Sequence, residues 1–384
     1  MNFTVERRSL MSALTQAMGI VDNKGILANI LLESDGGEHL KFTATDYDVV
    51  MRGRIPAQVK EPGRICIDPK IMLATVKNWS QPTMTARLKD DRLKCKCGKT
   101  TASLLTFVVE DFPVIDKEVP AETIGLDASD MGALMSKVAP FMSDDPLRIN
   151  LNGALLSMEQ DDRAEDPILN ISLVATDGHR LGQLRTEIAL DVSADHAKIE
   201  RTIHRKGVKE IAKLLSKGAK GDVAQFAVAN DEIVVTHDET TLFIRCIDYD
   251  FPNYKGIIPS DCACQYSIDK HQLTQAVQIA ASLADKFSCG VRVEPLEEGD
   301  GKFVTLQVAG SNAATGNVTT DIQAEYEGNP FPVGFNFVFM GDALRCLPDG
   351  DVIIRMTGPD SPMLLHSANA GELDRFVIMP MEIS

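Results

Sequence analysis

A threefold internal repeat restricts the fold of this chain more than any other feature. Val5-Glu6-Arg7-Arg8-Ser9-Leu10, Leu126-Asp127-Ala128-Ser129-Asp130-Met131 and Ile268-Asp269-Lys270-His271-Gln272-Leu273 each pass from an apolar strand end through an acidic residue to an apolar residue that opens a helical stripe. Other landmarks recur in the same order. Ala44-Thr45-Asp46 returns as Ala175-Thr176-Asp177 and, more weakly, as Ala309-Gly310-Ser311. Ile67-Asp68-Pro69-Lys70 opens a helix, as do Ile203-His204-Arg205-Lys206 and, less clearly, Gly334-Phe335-Asn336. Asp111-Phe112-Pro113 closes one unit and Asp250-Phe251-Pro252 the next. Landmarks kept in register mean one supersecondary unit used three times. The expected domains are 1–121, 122–259 and 260–384, with Pro120 and Pro259 at the joints, where proline ends a pairing strand.

Each unit reads as strand, helix, several strands, helix, several strands. Alternating runs such as Leu40-Lys41-Phe42-Thr43-Ala44 and Ile233-Val234-Val235-Thr236-His237 leave one face polar. Asp177-Gly178 predicts a two-residue hairpin between Ile171–Thr176 and His179–Leu184. Hairpins with helices on one side make the fold class α+β, with helices on one face of antiparallel sheets.

Composition narrows the function classes. The 384 residues hold 55 acidic and 39 basic side chains, a formal charge of −16, which argues against coating nucleic acid with the whole surface. A local basic face stays open. No secretory signal, no apolar run of membrane-spanning length and only eight cysteines point to a soluble cytoplasmic protein with free thiols and no membrane partner.

The cationic candidate is a helix expected over about Lys206–Leu215. Val208, Ile211, Ala212 and Leu215 form its apolar face, and Lys206, Lys209, Lys213, Lys217 and Lys220 fall on the opposite side, the last two beyond the firm helix. Lys70 and Lys77 repeat the theme in the first unit. The plain alternative is a solvated face. In so acidic a chain the cluster instead suggests phosphate neutralisation without base reading, hence sequence-independent binding.

Catalytic and metal readings fail on spacing. Gly98-Lys99-Thr100 has Leu93 where a phosphate loop needs glycine. Cys95-x-Cys97 and Cys262-x-Cys264 place thiols on one strand face at a spacing too short for zinc, so packed free cysteines are expected, and no metal or cofactor. Asp177 and His179 could belong to a hydrolase, but no nucleophile elbow accompanies them. The C-terminal Phe376-Val377-Ile378 reads as a last strand, followed by Met379-Pro380-Met381 as adaptable apolar surface suited to peptides.

Val174-Ala175-Thr176-Asp177-Gly178-His179-Arg180-Leu181, Arg205-Lys206-Gly207-Val208, Asp250-Phe251-Pro252-Asn253-Tyr254, Gly334-Phe335-Asn336 and the terminal Met379-Pro380-Met381 together resemble the bacterial sliding clamp family, the beta subunit of DNA polymerase III. The resemblance covers the whole chain in order. It implies three clamp domains per chain and a ring-forming homodimer around duplex DNA, with helices lining the hole and no catalysis. It also implies tethering of the polymerase alpha subunit, the clamp loader, other polymerases and repair proteins through short linear peptides. Carried onto matching positions, the peptide pocket comprises Leu151, Thr176, Gly178, His179, Arg180, Leu181, Pro252, Ile257, Asn336, Phe339, Val377, Met379, Pro380 and Met381. The dimer seam is expected near Thr101–Phe107 and Lys302–Val308.

The chain departs from the family at Gly256 and Glu382, where basic residues are usual, so the rim is less cationic and the preferred peptide less acidic. Lys24–Asn29 lacks the usual proline, leaving Lys24 as the one DNA contact expected in that loop. A specialised clamp paralogue serving a restricted polymerase is the alternative within the family, and the Asp177/His179 hydrolase the alternative outside it.

Overall fold

The structure is a computed structural model of the whole chain and describes every residue except 35, 162–167, 190–197, 230, 299–301, 370–372 and 383–384. Six helices of the described residues are α1 (Arg7–Ala17), α2 (Pro69–Val76), α3 (Ala128–Val138), α4 (Arg205–Leu215), α5 (Lys270–Leu283) and α6 (Phe337–Cys346). All three repeat openings are realised, since α1, α3 and α5 each follow a strand ending on Glu6, Asp127 or Asp269. So are all three second helices. Asp68 accepts from the Lys70 and Ile71 amides with Pro69 in the first turn, and Asn336 accepts from the Val338 and Phe339 amides. These caps satisfy helix N–H groups that otherwise lack partners, which is why the faint Gly334-Phe335-Asn336 landmark opens a helix as firmly as the clear one.

By packing, the chain forms two compact units, one of Met1–Met135 with Lys206–Cys246, the other of Ser136–Arg205 with Ile247–Ser384. Strands from different repeats pair inside each unit. In the first, an antiparallel sheet runs Gly63–Ile67, Ile30–Ser34, His39–Thr45, Val49–Glu61, Thr240–Ile247, Glu232–His237, Val223–Ala229, Ile124–Asp127. The far half of the long strand Val49–Glu61 pairs instead with Asn2–Glu6, which leads to Thr83–Lys89, Arg92–Cys97 and Thr100–Leu105. In the second unit the ladder passes from Ile168–Thr176 to Arg180–Ala189 and then to the C-terminal strand Arg375–Ile378, followed by Met363–Ser367 and Asp351–Met356.

Two sequence expectations are corrected. Thr176 pairs with Leu181, so Asp177–Arg180 makes a four-residue loop rather than a two-residue hairpin. The side chains explain it. The Thr176 hydroxyl accepts from the Gly178 amide (3.1 Å), and the Asp177 carboxylate accepts from the amides of His179 (2.9 Å) and Arg180 (3.0 Å). Such side-chain bonds compete with a tight backbone turn. Cys95 and Cys97 share a buried strand face, but Cys262 precedes its strand and is exposed. Burial pushes the Cys66 and Cys95 thiols up to about 12.

No described helix is long and apolar enough to cross a membrane.

Candidate functional site

The predicted pocket residues all belong to the second unit, and several of them meet at the 177–180 loop. Arg180 and Leu181 pair with Ile378 and Val377, and the ladder continues past its strand through the Met379 amide, which donates to the His179 carbonyl (2.9 Å). The Met381 amide donates to the Gly334 carbonyl (2.9 Å), so the chain end is tied to the residues that lead into α6. Leu181 and Val377 are buried with Leu155, Val174 and Leu364, and Phe251, Tyr254 and Ile258 pack against this cluster. Burial raises the Tyr254 phenol above its ordinary range, partly offset by the nearby Arg185 charge. Met379 is 38% and Ile257 41% exposed.

Arg180 organises the polar side. Its Nε donates to the Asp177 carboxylate (3.0 Å), one terminal nitrogen to the Pro140 carbonyl (2.6 Å) and the other to the buried Asp342 carboxylate on α6. The guanidinium lies over the Phe339 ring at 4.4 Å and the Phe141 ring at 5.3 Å. Asn336, capping α6, sets where Phe339 begins its turn. Gly178 has φ +89, a conformation costly for other residues. Leu151 ends the short helix Ile149–Leu151; the preceding Arg148 donates to the Asp177 carbonyl (3.1 Å). Pro252 and Pro380 are half-buried. His179 is exposed, and its amide, not its ring, meets Asp177, whose carboxylate is already engaged by Arg180.

Sequence reasoning missed Asp342, Arg148 and Phe141, which reach the site only through tertiary packing. Asp342 sits three residues after Phe339, one turn on, and that spacing was its sole signal.

The cationic candidates lie in the first unit. On α4 the apolar positions are buried as expected, and Lys209 and Lys213 are exposed, with Lys217 and Lys220 exposed beyond the helix end. Lys213 pairs with Glu210 at 2.5 Å, and Lys217 donates to the Ser12 hydroxyl at 2.9 Å. Lys206 departs from the stripe. Its ammonium donates to the Ile20 carbonyl (2.6 Å) and pairs with the Asp46 carboxylate, so much of its charge is spent inside the protein. Lys70 and Lys77 are exposed at the two ends of α2, and Lys24 is exposed.

Three family models cover the chain. The one described as DNA polymerase III beta subunit, N-terminal domain, matches residues 1–116, the central domain 125–253 and the C-terminal domain 255–382. The beta sliding clamp of Pseudomonas aeruginosa is 26% identical over 388 residues, covering 100% of both chains. A crystal structure of the DNA polymerase sliding clamp from that organism superposes with a TM-score of 0.87 at 25% identity, covering 100% of each chain. The Caulobacter crescentus pol III beta structure gives 0.85 at 26% identity, again over 100% of both.

Proposed function

This chain belongs to the DNA polymerase III beta subunit family, the bacterial sliding clamps, and as a non-catalytic processivity factor it works by the following route, which we propose. Two copies close head to tail into a ring in the cytoplasm, each chain supplying three domains bounded near residues 121 and 259. The strand Thr100–Leu105 has an unpaired edge among the described residues, and exposed Leu105 (61%) and Phe107 (47%) beside it suit the seam. Lys302–Val308, expected on the other side, offers no free edge, because Phe303–Asn312 pairs with Gly290–Glu298 on one side and Gly316–Gly328 on the other, so only side chains such as Phe303 (41% exposed) are open to a seam there.

Duplex DNA passes through the ring, held by enclosure. Lys209, Lys213, Lys217 and Lys220, with Lys70, Lys77 and Lys24, supply loose phosphate contacts that permit sliding, and Lys206 contributes less because it is paired internally. The polymerase alpha subunit, the clamp loader and other polymerases and repair proteins dock by short peptides on the pocket around Leu181, Val377, Met379, Pro380 and Met381, between the second and third repeats. Phe339, Arg180, Thr176, Gly178, His179 and Asn336 form one side, and Leu151, Pro252 and Ile257 the other. The observation that carries this reading is the Met379 bond to His179, which ties half-exposed apolar surface to the loop beside the buried apolar cluster. An extended peptide with two or three apolar anchors fits such a cleft.

Loading on nicked circular DNA followed by linearisation tests the ring, since a clamp leaves linear ends and stays on the circle. Retention that ignores linearisation overturns it. Deleting Met379–Ser384 is expected to abolish peptide binding while the dimer persists. Unchanged affinity refutes the pocket.

A further inference from the structure

Asp342 is buried at 6% exposure on α6, the helix that carries Phe339, although no sequence motif singled it out. Its two carboxylate oxygens meet two different arginines, Arg180 from the loop wall and Arg345 one turn along its own helix. All three guanidinium nitrogens of Arg180 are thereby used by the chain itself, on Asp177, Asp342 and Pro140. Two arginines and two aspartates sum to zero, so the wall formed by Arg180 and Phe339 presents no net charge. The rim adds none of the usual cations, since Gly256 and Glu382 stand at those positions.

We propose that Asp342 is the positioning and specificity residue of the peptide pocket: it holds Arg180 flat against Phe339 and cancels its charge, so that the pocket prefers peptides uncharged between their apolar anchors. This rests on the peptide-pocket reading above. A carboxylate on the peptide would find the Arg180 charge already neutralised by Asp177 and Asp342, and burying that carboxylate beside two others is unfavourable. Without the Asp342 charge, the same guanidinium keeps a positive charge that nothing beside it cancels in full and becomes an anion site.

The test uses the full chain and two fluorescein-labelled pentapeptides with Leu and Phe anchors, identical except for Asn or Asp between the anchors. The unmodified chain is expected to prefer the Asn peptide. Asp342→Asn should weaken the Asn peptide and shift the preference toward the Asp peptide about tenfold, an effect that shrinks between about 0.05 and 0.5 M salt. Arg345→Ala, at an exposed position that tolerates truncation, leaves one surplus negative charge and should shift the preference the other way. Asp342→Glu should restore part of the original discrimination, which a loss of packing alone does not predict. The inference is overturned if Asp342→Asn and Arg345→Ala leave the Asn/Asp ratio unchanged, or if both shift it in one direction. Should the unmodified chain bind neither peptide, the pocket reading itself fails, separately from the role of Asp342.

Discussion

The chain builds the same turn twice, in different units, and only one copy became the candidate binding site. In the first unit Thr45-Asp46-Tyr47-Asp48-Val49 links two strands, and in the second Thr176-Asp177-Gly178-His179-Arg180 does so. The threonine hydroxyl accepts from the amide of Tyr47 (2.9 Å) or Gly178 (3.1 Å). The aspartate accepts from Asp48 and Val49, or from His179 and Arg180. Tyr47 has φ +77 and Gly178 φ +89. Even the next strand docks alike, since the Arg245 amide donates to the Asp48 carbonyl as Met379 donates to His179 (2.9 Å each).

What differs is what the chain lays on top. At the first turn Ile115 packs on Val50, Phe243, Val234 and Ala227, and the Arg52 guanidinium holds the carbonyls of Ile115 and Lys117. A groove of about 630 Å³ remains beside it, lined by charged residues of both signs. At the second turn Met379 and Met381 are bonded beside the loop, and α6 brings Phe339 and Asp342 to Arg180. One joint is sealed by its own linker; the other is left with apolar surface and a buried ion-pair network. An identical turn therefore carries no function by itself. The neighbours decide it.

The largest expected effect comes from exchanging what stands at the end of each turn. Arg180→Ala leaves Asp342 buried with Arg345 alone and should cost about 3–5 kcal/mol, with loss of peptide binding. Val49→Ala, its counterpart, should cost about 2 kcal/mol and leave peptide binding intact. Urea unfolding and peptide titration read both, and equal effects on binding would break the comparison. Next, Arg52→Ala should free the linker over the first joint, with trypsin cleavage after Lys117 several-fold faster on the order of 1–3 kcal/mol of lost restraint. Cleavage at the original rate would mean that Ile115 packing alone seals the joint.

Glycine exchange should act with opposite signs at the two turns. Gly178→Ala puts a methyl group at positive φ, about 3.0 Å from Arg148, and should destabilise by about 1–2 kcal/mol. Tyr47→Gly relieves the same conformation and should be near neutral or slightly stabilising, both variants being read by urea unfolding. The smallest effect concerns pH. Burial raises the Asp374 carboxyl above its ordinary value of 3.8, although the Arg185 amide bonded to it (3.2 Å) works the other way. A raised value means that the neutral form suits the fold. Its contribution is complete below about pH 3.8 and is lost as pH rises through the folded value. Asp374→Asn should therefore stabilise the chain more at pH 7 than at pH 4, and a difference that does not vary with pH would exclude Asp374 as the cause.

Periodicity and repeat registration carried the helices and the three-unit plan, because strand and helix openings depend on neighbours in sequence: Asp68, Asp269 and Asn336 cap helices a few residues away. The apolar face of α4 was legible for the same reason. The apolar half of the proposed pocket follows from the resemblance, since Thr176–Leu181 and Met379–Met381 are contiguous motifs. Its electrostatic half does not. Asp342 lies 162 positions from Arg180, and Lys206 lies 160 from the Asp46 that engages it. A formal charge read along the chain says nothing of the partner that folding brings to it. Local order was determined by the sequence alone, and only the tertiary structure decided which charges remain available, because burial forces each ion to find its partner across the fold rather than along it.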